Sequence, residues 1–271
     1  MSVELIIIDL DGTLLRSDLT VGERTIEAID KAQKRGIAVS FATGRMVPAS
    51  AKYIEMLNLK LPIIALNGAL VKSVDGAKPM FHKPIAENIF AKILPELAES
   101  KASTTIVLGD NSFGWNIDEN IRSKLSSWIV GIKDIEPEQS PAKPTIAMVA
   151  GDEKPVRETY EKIAELGIDG IQFFLFPSIR YYPMWYMEIR SAGVDKGVGV
   201  EALQESLGIA PENTLVIGDY INDLPMFYKA GFRAAVSNAH QDIIDIADYV
   251  SPLSCDQDGV GEIIEKIALG K

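Results

Sequence analysis

Two carboxylates two positions apart, Asp9 and Asp11, follow directly after the short apolar run Leu5–Ile8. A run this short, rich in isoleucine and closed by Gly12, is typical of a strand buried on both faces in a parallel sheet. Asp9 is therefore predicted to lie at the carboxyl end of a strand, where open α/β sheets bind their ligands. A second interpretation stays open, because an Asp-Gly sequence also favours a simple turn.

A second cluster of polar residues follows another short apolar run. Ile37–Phe41 is predicted to be the next strand, and Thr43, Gly44 and Arg45 come after it. A threonine hydroxyl and neighbouring backbone N–H groups are suitable donors to a phosphate oxygen. A Thr-Gly turn with an exposed arginine is also common, so this cluster alone does not define a site.

The C-terminal part of the chain adds a lysine and a third strand end. Lys196 stands at the predicted start of a helix, where its charge opposes the helix dipole, so it either serves another purpose or is a solvated surface residue. The apolar run Thr214–Ile217 is followed by Asp219, Asn222 and Asp223. These residues are predicted to lie at the strand end and in the first turn of the next helix, where acidic residues are also ordinary.

The elements that carry these residues alternate between strand and helix. The sequence from Thr20 to Glu23 predicts a capping box that begins a helix at Thr20, and Pro48 begins a second helix. A third strand is predicted at Pro62–Leu66, with Asn67 after it. This βαβαβ order predicts an α/β fold with a Rossmann-like, doubly wound, mostly parallel sheet.

The pattern changes from Pro84 onward, where predicted strands outnumber helices and no Gly-rich phosphate loop occurs. We predict that this segment is a second, α+β domain inserted into the first. The predicted boundaries place residues 1–83 and 191–271 in the core domain and residues 84–190 in the insert.

Composition restricts the class of protein. The 271 residues are 47% hydrophobic, which is ample for a sizeable core and for one large or two medium domains. A net charge of −11 argues against a nucleic-acid-binding surface. Cys255 is the only cysteine, so no internal disulfide forms and a reducing cytoplasm is the expected setting.

Neither a secretion signal nor a membrane span is predicted. The N-terminal residues carry an acid and no basic leader, and no apolar run approaches the length of a membrane-spanning helix. We therefore expect a cytoplasmic protein with no membrane or nucleic-acid partner, either a monomer or a homodimer.

Four motifs together resemble those of the haloacid dehalogenase-like phosphohydrolases. The string DLDGTLL from Asp9 resembles the first motif, and ATGR at 42–45 is similar to the second motif of the Cof-type members. Lys196 with Gly197 resembles the third motif, and GDYIND at 218–223 the fourth. Because the motifs occur in order with the insert between the second and third, the chain resembles a Cof-type sugar phosphatase over nearly its whole length. The resemblance implies that the insert is a large α/β cap that sets substrate specificity.

The resemblance implies hydrolysis of a small-molecule phosphate ester, a sugar phosphate, with Mg²⁺ as cofactor. Asp9 would attack phosphorus to form an aspartyl-phosphate, and Asp11 would protonate the leaving alcohol and then deprotonate the water. Asp9, Asp219 and the backbone carbonyl of Asp11 would hold the metal. The residues expected to bind the phosphate are Leu10, Thr43, Gly44, Lys196 and Asn222, and the expected supporting residues are Arg45 and Asp223.

Other functions fit parts of the same pattern. A phosphomannomutase-like phosphoryl transferase shares the architecture and would require a sugar bisphosphate. A dehalogenase uses the attacking aspartate but needs neither a leaving-group acid nor a metal, so Asp11 and Asp219 argue against it. A non-catalytic metabolite-binding protein would have lost the chemical positions, and none of them is lost here.

Overall fold

The computed structural model describes residues 2–73, 75 and 78–270. The chain forms two compact units. The first unit comprises Met1–Phe81 together with Asp195–Lys271, and the second comprises His82–Val194. The chain thus leaves the first unit once and returns to it once.

The first three strands of the first unit alternate with two helices, and the boundary with the second unit falls between Phe81 and His82. Up to that boundary its elements are β1 (Leu5–Ile8), α1 (Glu23–Lys34), β2 (Ala38–Phe41), α2 (Val47–Met56), β3 (Ile63–Ala65), β4 (Leu70–Lys72) and β5 (Phe81–His82). The second unit contains α3 (Glu87–Ala98), β6 (Ser103–Leu108), β7 (Asn111–Trp115), α4 (Glu119–Leu125), β8 (Lys133–Asp134), β9 (Ile146–Gly151), α5 (Glu153–Glu165), β10 (Ile171–Pro177) and β11 (Trp185–Ser191). The returning chain contains α6 (Lys196–Leu207), β12 (Thr214–Gly218), α7 (Leu224–Phe227), β13 (Phe232–Ala235), α8 (Gln241–Ile244), β14 (Tyr249–Val250) and α9 (Gly259–Ile263).

The first unit is built on a parallel sheet of five strands in the order β14-β13-β12-β1-β2. All four residues of β1 are fully buried, as its apolar sequence predicts for a strand covered on both faces. Leu5 and Ile7 pack in one buried cluster with Val200 and Leu203 of α6. The predicted α/β class with a mostly parallel core sheet is confirmed.

The strand order places the carboxyl end of β1 at a change of direction. β2 follows β1 along the chain and pairs with it on one side, whereas β12 comes from the returning chain and pairs with it on the other. Doubly wound sheets bind ligands in the crevice that such a change of direction leaves. The fold therefore directs attention to the residues that follow β1, β2 and β12.

The start of α1 differs from the prediction at Thr20. The hydroxyl of Thr20 donates to a carboxylate oxygen of Asp18 at 2.6 Å, so it does not cap the helix. The helix begins instead at Glu23, after Gly22 in an extended conformation. The predicted capping box was wrong because a nearer carboxylate competes for the hydroxyl.

The second unit has a sheet of six strands in the order β10-β11-β9-β6-β7-β8. Its strands pair antiparallel except β7 and β8, which are parallel. Helices α3 and α5 contribute Phe90, Leu97, Val156 and Ile163 to a buried cluster with alternate residues of the strands, such as Ile189. Helices packed on an antiparallel sheet give this unit an α+β architecture.

Across the described residues, every helix is too short or too polar to cross a membrane.

Candidate active site

Asp9 follows the last residue of β1 and is buried. Its backbone N–H donates to the carbonyl of Ile217 at 2.9 Å, so the pairing of β1 with β12 extends to this residue. The chain then turns at Gly12, whose φ is +87°. A Cβ on Gly12 would lie 2.5 Å from Oδ2 of Asp219, so the close approach of this turn to the end of β12 requires glycine.

Lys196 is fully buried and connects two carboxylates. Its Nζ donates to Oδ1 of Asp9 at 2.6 Å and to Oδ1 of Asp223 at 2.5 Å. It is the first residue of α6, whose N-terminus is capped by the side chain of Asp195. Burial disfavours the charged ammonium, but Asp223 and Asp9 outweigh burial and raise the pKa of Lys196 above its ordinary value. The lysine is therefore an ammonium ion held against Asp9.

Asp223 is fully buried and holds both the lysine and the backbone at the end of β12. Its Oδ1 accepts from Lys196, and its Oδ2 accepts from the backbone N–H groups of Asp219 and Tyr220 at 2.9 and 3.1 Å. Gly218 leaves room for this carboxylate, since a Cβ there would lie 2.6 Å from Oδ2 of Asp223. Both oxygens of Asp223 are thus engaged by the protein.

Asp219 completes a group of three carboxylates with Asp9 and Asp223, in which one oxygen of each lies within 4.8 Å of the others. Its Oδ1 accepts from the hydroxyl of Thr13 at 2.6 Å. Burial, followed by the charge of Asp223, raises the pKa of Asp219 to about 7. Burial also raises the pKa of Asp9 well above its usual range, although Lys196 opposes this effect. When all three are ionised, these carboxylates therefore hold more negative charge than the single lysine balances.

These carboxylates fit a divalent metal ion that prefers oxygen ligands, such as Mg²⁺. Oδ2 of Asp9 and Oδ2 of Asp219 accept no hydrogen bond from the part of the chain that the structure describes, so each could serve as a ligand. Asp223 fits this role less well, because both of its oxygens already accept hydrogen bonds from the protein. A cation between Asp9 and Asp219 would also offset the excess negative charge.

Asp11 is bound by Arg45 through both of its carboxylate oxygens. The guanidinium donates from Nε to Oδ2 of Asp11 at 2.7 Å and from its terminal nitrogen to Oδ1 at 2.5 Å, as a two-pronged ion pair. Arg45 is buried, whereas the side chain of Asp11 is 37% exposed. Arg45 is thus not the exposed arginine of a surface turn.

The residues after β2 lie beside the same sheet edge. The backbone N–H of Thr43 donates to Ile64, and its hydroxyl oxygen accepts from the backbone N–H of Arg45 at 3.1 Å. The bond from Arg45 does not use the hydroxyl hydrogen of Thr43, which could therefore be donated to another acceptor. Leu10 is fully buried, so its side chain cannot contact a ligand and only its backbone could serve the phosphate.

Asn222 lies in the helical turn after β12, and its side chain bonds Asn67, which is not among the site residues expected from the sequence. Its Nδ2 donates to Oδ1 of Asn67 at 3.1 Å. Thr13, whose hydroxyl donates to Asp219, is likewise not among the expected site residues. Both could have been found from one signal, because each is a polar residue in the turn after a buried strand, β1 or β3.

With this geometry in place, comparison with known proteins identifies the family. Residues 6–264 match the haloacid dehalogenase-like hydrolase family, which is nearly the whole chain. The chain belongs to this family, as its four motifs predict.

Relatives of known name are similar over their whole length. The chain is 27% identical over 267 residues to a phosphoglycolate phosphatase of Thermoplasma volcanium, covering 98% of this chain and 99% of the relative. It is 26% identical over 268 residues to a 5-amino-6-(5-phospho-D-ribitylamino)uracil phosphatase of Bacillus subtilis, covering 97% of this chain and 96% of the relative. The crystal structure of a Thermotoga maritima protein superposes with a TM-score of 0.84 at 27% identity, covering 98% of this chain and 97% of that one.

These relatives and the family establish the class of enzyme. The chain is a phosphatase of the haloacid dehalogenase-like hydrolases. The non-catalytic metabolite-binding protein that the sequence left open is therefore the wrong class.

Proposed function

We propose that this chain is a Mg²⁺-dependent phosphomonoesterase that hydrolyses small phosphorylated metabolites, including sugar phosphates, through an aspartyl-phosphate on Asp9. The observation that carries the proposal is the buried Nζ of Lys196, which bonds both Asp9 and Asp223 beside the carboxylate of Asp219. Hydrolysis of a phosphate monoester can require acceleration by up to about 10²¹-fold, of which general acid–base catalysis supplies about 10²–10⁴-fold. A site for this reaction therefore needs several charged groups around one nucleophile, and this site has them.

Asp9 and Asp219 would hold the Mg²⁺ ion, with the backbone carbonyl of Asp11 as a further ligand. The bound ion supplies positive charge that lets an anionic nucleophile approach a phosphate dianion. Asp223 holds Lys196 and the end of β12 in position for this arrangement. Thr13 fixes the orientation of the Asp219 carboxylate through its hydroxyl.

In the first step, a carboxylate oxygen of Asp9 attacks phosphorus while the bond from phosphorus to the leaving oxygen breaks. Lys196 bonds Oδ1 of Asp9 and so fixes the orientation of this carboxylate. The developing charge on the phosphoryl oxygens is stabilised by the ammonium of Lys196, by the hydroxyl and backbone near Thr43, and by the amide of Asn222. Asp11 gives its proton to the leaving alkoxide.

In the second step, a water molecule attacks the phosphorus of the aspartyl-phosphate. Asp11 takes a proton from this water, the bond from phosphorus to Asp9 breaks, and inorganic phosphate leaves. Splitting one difficult displacement into two easier ones is the advantage of a covalent intermediate.

The ion pair with Arg45 sets a condition for both steps. Both carboxylate oxygens of Asp11 accept from Arg45, so one of them must leave the guanidinium before Asp11 can donate to the leaving oxygen. Arg45 would hold the carboxylate near the site when substrate is absent.

The substrate class follows from the relatives, whose names give phosphoglycolate and 5-amino-6-(5-phospho-D-ribitylamino)uracil as substrates. We infer that this chain likewise acts on small phosphorylated metabolites. Every residue of the proposed chemistry belongs to the first unit. We infer that the second unit, His82–Val194, selects the substrate. Its role as a specificity domain is part of the proposal.

The test is phosphate release from a panel of esters, with and without Mg²⁺. The panel contains p-nitrophenyl phosphate, sugar phosphates and the substrates named by the relatives. We expect Asp9→Asn to reduce turnover by at least about 10³-fold, because it removes the nucleophile. The matched control is Asp30→Asn on α1, where the exposed aspartate pairs only with Lys34 among the described residues.

Three results would contradict parts of the proposal. Near-normal turnover by Asp9→Asn would exclude Asp9 as the nucleophile. Full activity after exhaustive chelation would exclude the metal. A strict requirement for a sugar bisphosphate would indicate the phosphoryl transferase instead.

A further inference from the structure

The turn between β3 and β4 has an unusual backbone. Leu66, Asn67 and Gly68 have positive φ angles of 50°, 52° and 91° in succession. Asparagine and glycine tolerate this region, but leucine does so at a cost. Residues held in such conformations cluster at functional sites, where surrounding contacts impose them.

Contacts with two candidate site loops impose this backbone. The N–H of Leu66 donates to the carbonyl of Arg45 at 3.1 Å, and the N–H of Asn67 donates to the carbonyl of Thr43 at 2.9 Å. Gly68 lies against the residue before Lys196, since a Cβ on it would lie 1.9 Å from the carbonyl oxygen of Asp195. The turn therefore packs against the loop after β2 and the start of α6 at once.

The side chain of Asn67 extends these contacts to a third loop. It is buried, and its Oδ1 accepts from Nδ2 of Asn222 at 3.1 Å. On the other side it lies over Gly44, where an added Cβ would be 3.2 Å from Nδ2 of Asn67. One amide thus lies between two of the groups proposed to bind the phosphate.

We propose that Asn67 is a positioning residue for phosphate binding, acting through Asn222 and Gly44. This inference rests on the proposed function, because it assigns those two residues to the phosphate. The Nδ2 of Asn222 carries two hydrogens, and the bond to Asn67 uses one of them. That bond fixes the rotation of the amide, so that the second hydrogen has one direction in which to donate.

The physical reason is orientation. An exposed asparagine amide rotates freely about its last torsion, so an unrestrained Asn222 would spend little time directed at the phosphoryl group. Restraint before the ligand arrives lowers the entropy that binding must remove. A small error in this restraint changes the affinity for phosphate without unfolding the protein.

The decisive variant is Asn67→Gly, which removes the amide and keeps a residue that tolerates positive φ. The matched control is Asn58→Gly, because Asn58 also has a positive φ, of 49°, and is exposed at the end of α2. The hydrogen bonds of Asn58 use its backbone, so the control removes no side-chain bond of the described residues. Each variant is compared in KM, kcat, the dissociation constant of inorganic phosphate with Mg²⁺, and the midpoint of thermal unfolding.

We expect Asn67→Gly to raise KM and the dissociation constant of phosphate by roughly tenfold or more, with the unfolding midpoint unchanged. Asn58→Gly should match the wild-type protein. Combining Asn67→Gly with Asn222→Ala should weaken phosphate binding by less than the two single effects added together, because both remove the bond between these side chains.

Three outcomes overturn the inference. The first is phosphate binding by Asn67→Gly equal to that of Asn58→Gly. The second is a lowered unfolding midpoint with KM and phosphate affinity unchanged, which indicates a structural role. The third is full additivity of Asn67→Gly and Asn222→Ala.

The wild-type protein separates this inference from the proposed function. Wild-type protein that hydrolyses the esters, with Asn67→Gly unaffected, contradicts the inference and leaves the function in place. Wild-type protein that binds inorganic phosphate without hydrolysing any ester, with binding weakened by Asn67→Gly, contradicts the function and supports the inference. Wild-type protein that neither hydrolyses nor binds phosphate contradicts both.

Discussion

Both units bury charged side chains, and they differ in how far those charges balance. In the second unit, Glu188 and Arg190 lie two residues apart on β11, are buried, and pair at 3.1 Å. The guanidinium of Arg190 also lies 4.2 Å from the centre of the Phe174 ring. In the first unit, the carboxylates of Asp9, Asp219 and Asp223 surround one ammonium.

The difference in charge balance separates an ion pair that needs no ligand from a cluster of carboxylates that favours binding a cation. A buried ion pair of equal and opposite charges can persist without a ligand. A buried excess of negative charge is unfavourable unless protons or a cation reduce it. Here burial, followed by the charge of Asp223, raises the pKa of Asp219 to about 7. Perturbed carboxylates of this kind cluster at functional sites, so the imbalance supports the proposal that the chemistry lies in the first unit.

The largest effect is expected from Lys196→Met, which worsens the imbalance. Removal of the ammonium leaves three closely spaced carboxylates without the one lysine that pairs with them among the described residues. We expect turnover to fall by about 10²–10³-fold or more, because a group that stabilises transition-state charge is lost. The free energy of unfolding without Mg²⁺ should fall by about 3–5 kcal/mol above neutral pH. Initial rates and urea denaturation measure the two effects.

The control for this prediction is Lys34→Met, an exposed lysine that pairs with Asp30 on α1. Surface pairs of this kind contribute about 0–1 kcal/mol, so neither quantity should change much. Equal behaviour of the two variants would mean that Lys196 does not offset the carboxylates as proposed.

A smaller effect, on stability alone, is expected from Glu188→Gln in the second unit. The substitution keeps the shape of the side chain and removes the charge that pairs with Arg190. We expect the free energy of unfolding to fall by about 3 kcal/mol. Turnover of p-nitrophenyl phosphate should change by less than about threefold, because the pair takes no part in the proposed chemistry.

Denaturation curves and initial rates on the same preparation decide this prediction. A large loss of turnover at unchanged stability would contradict the comparison, because it would place a balanced pair in the chemistry.

Much of the first unit was predictable, because its information is local in sequence. The apolar run of β1 leads into Asp9, and such runs predict a parallel sheet with ligands at the strand ends. The predictions of family and fold class are both confirmed. The roles of the individual site residues stay predictions, which the variants above test.

The contacts across the site were not predictable, because they join distant parts of the chain. Thr13 and Asp219 are separated by 206 positions, and Asp11 and Arg45 by 34. The hydrophobic periodicity of a sequence predicts helices and strands, but it does not predict which distant residues form a hydrogen bond. The turn at Asn67 had a partial signal, since Asn-Gly after a strand favours positive φ, but its bond to another loop exists only in the fold.

The last effect is a pH dependence that the buried carboxylates create in the metal-free protein. The pKa of Asp219 is raised from 3.8 to about 7, first by burial and then by Asp223. Between these pH values the folded state holds a proton on Asp219 that the unfolded chain has lost. The free energy of unfolding therefore falls as pH rises through this window, by at most about 1.4 kcal/mol per pH unit for one proton. The raised pKa of Asp9 acts in the same direction.

Mg²⁺ should oppose this dependence, because metal and proton compete for the same carboxylates. We expect the stabilisation by saturating Mg²⁺ to grow between about pH 5 and about pH 7.5, as protons leave Asp219 and Asp9. Urea denaturation across this range, with and without the metal, measures it in the wild-type protein and in Asp219→Asn. The variant cannot ionise at this position, so its metal-free stability should fall less steeply with pH and its response to Mg²⁺ should be weaker. If the two proteins had equal slopes and equal responses to Mg²⁺ at every pH, the carboxylates of the first unit would not carry an uncompensated charge. The contrast with the balanced pair of Glu188 and Arg190 would then have no energetic basis.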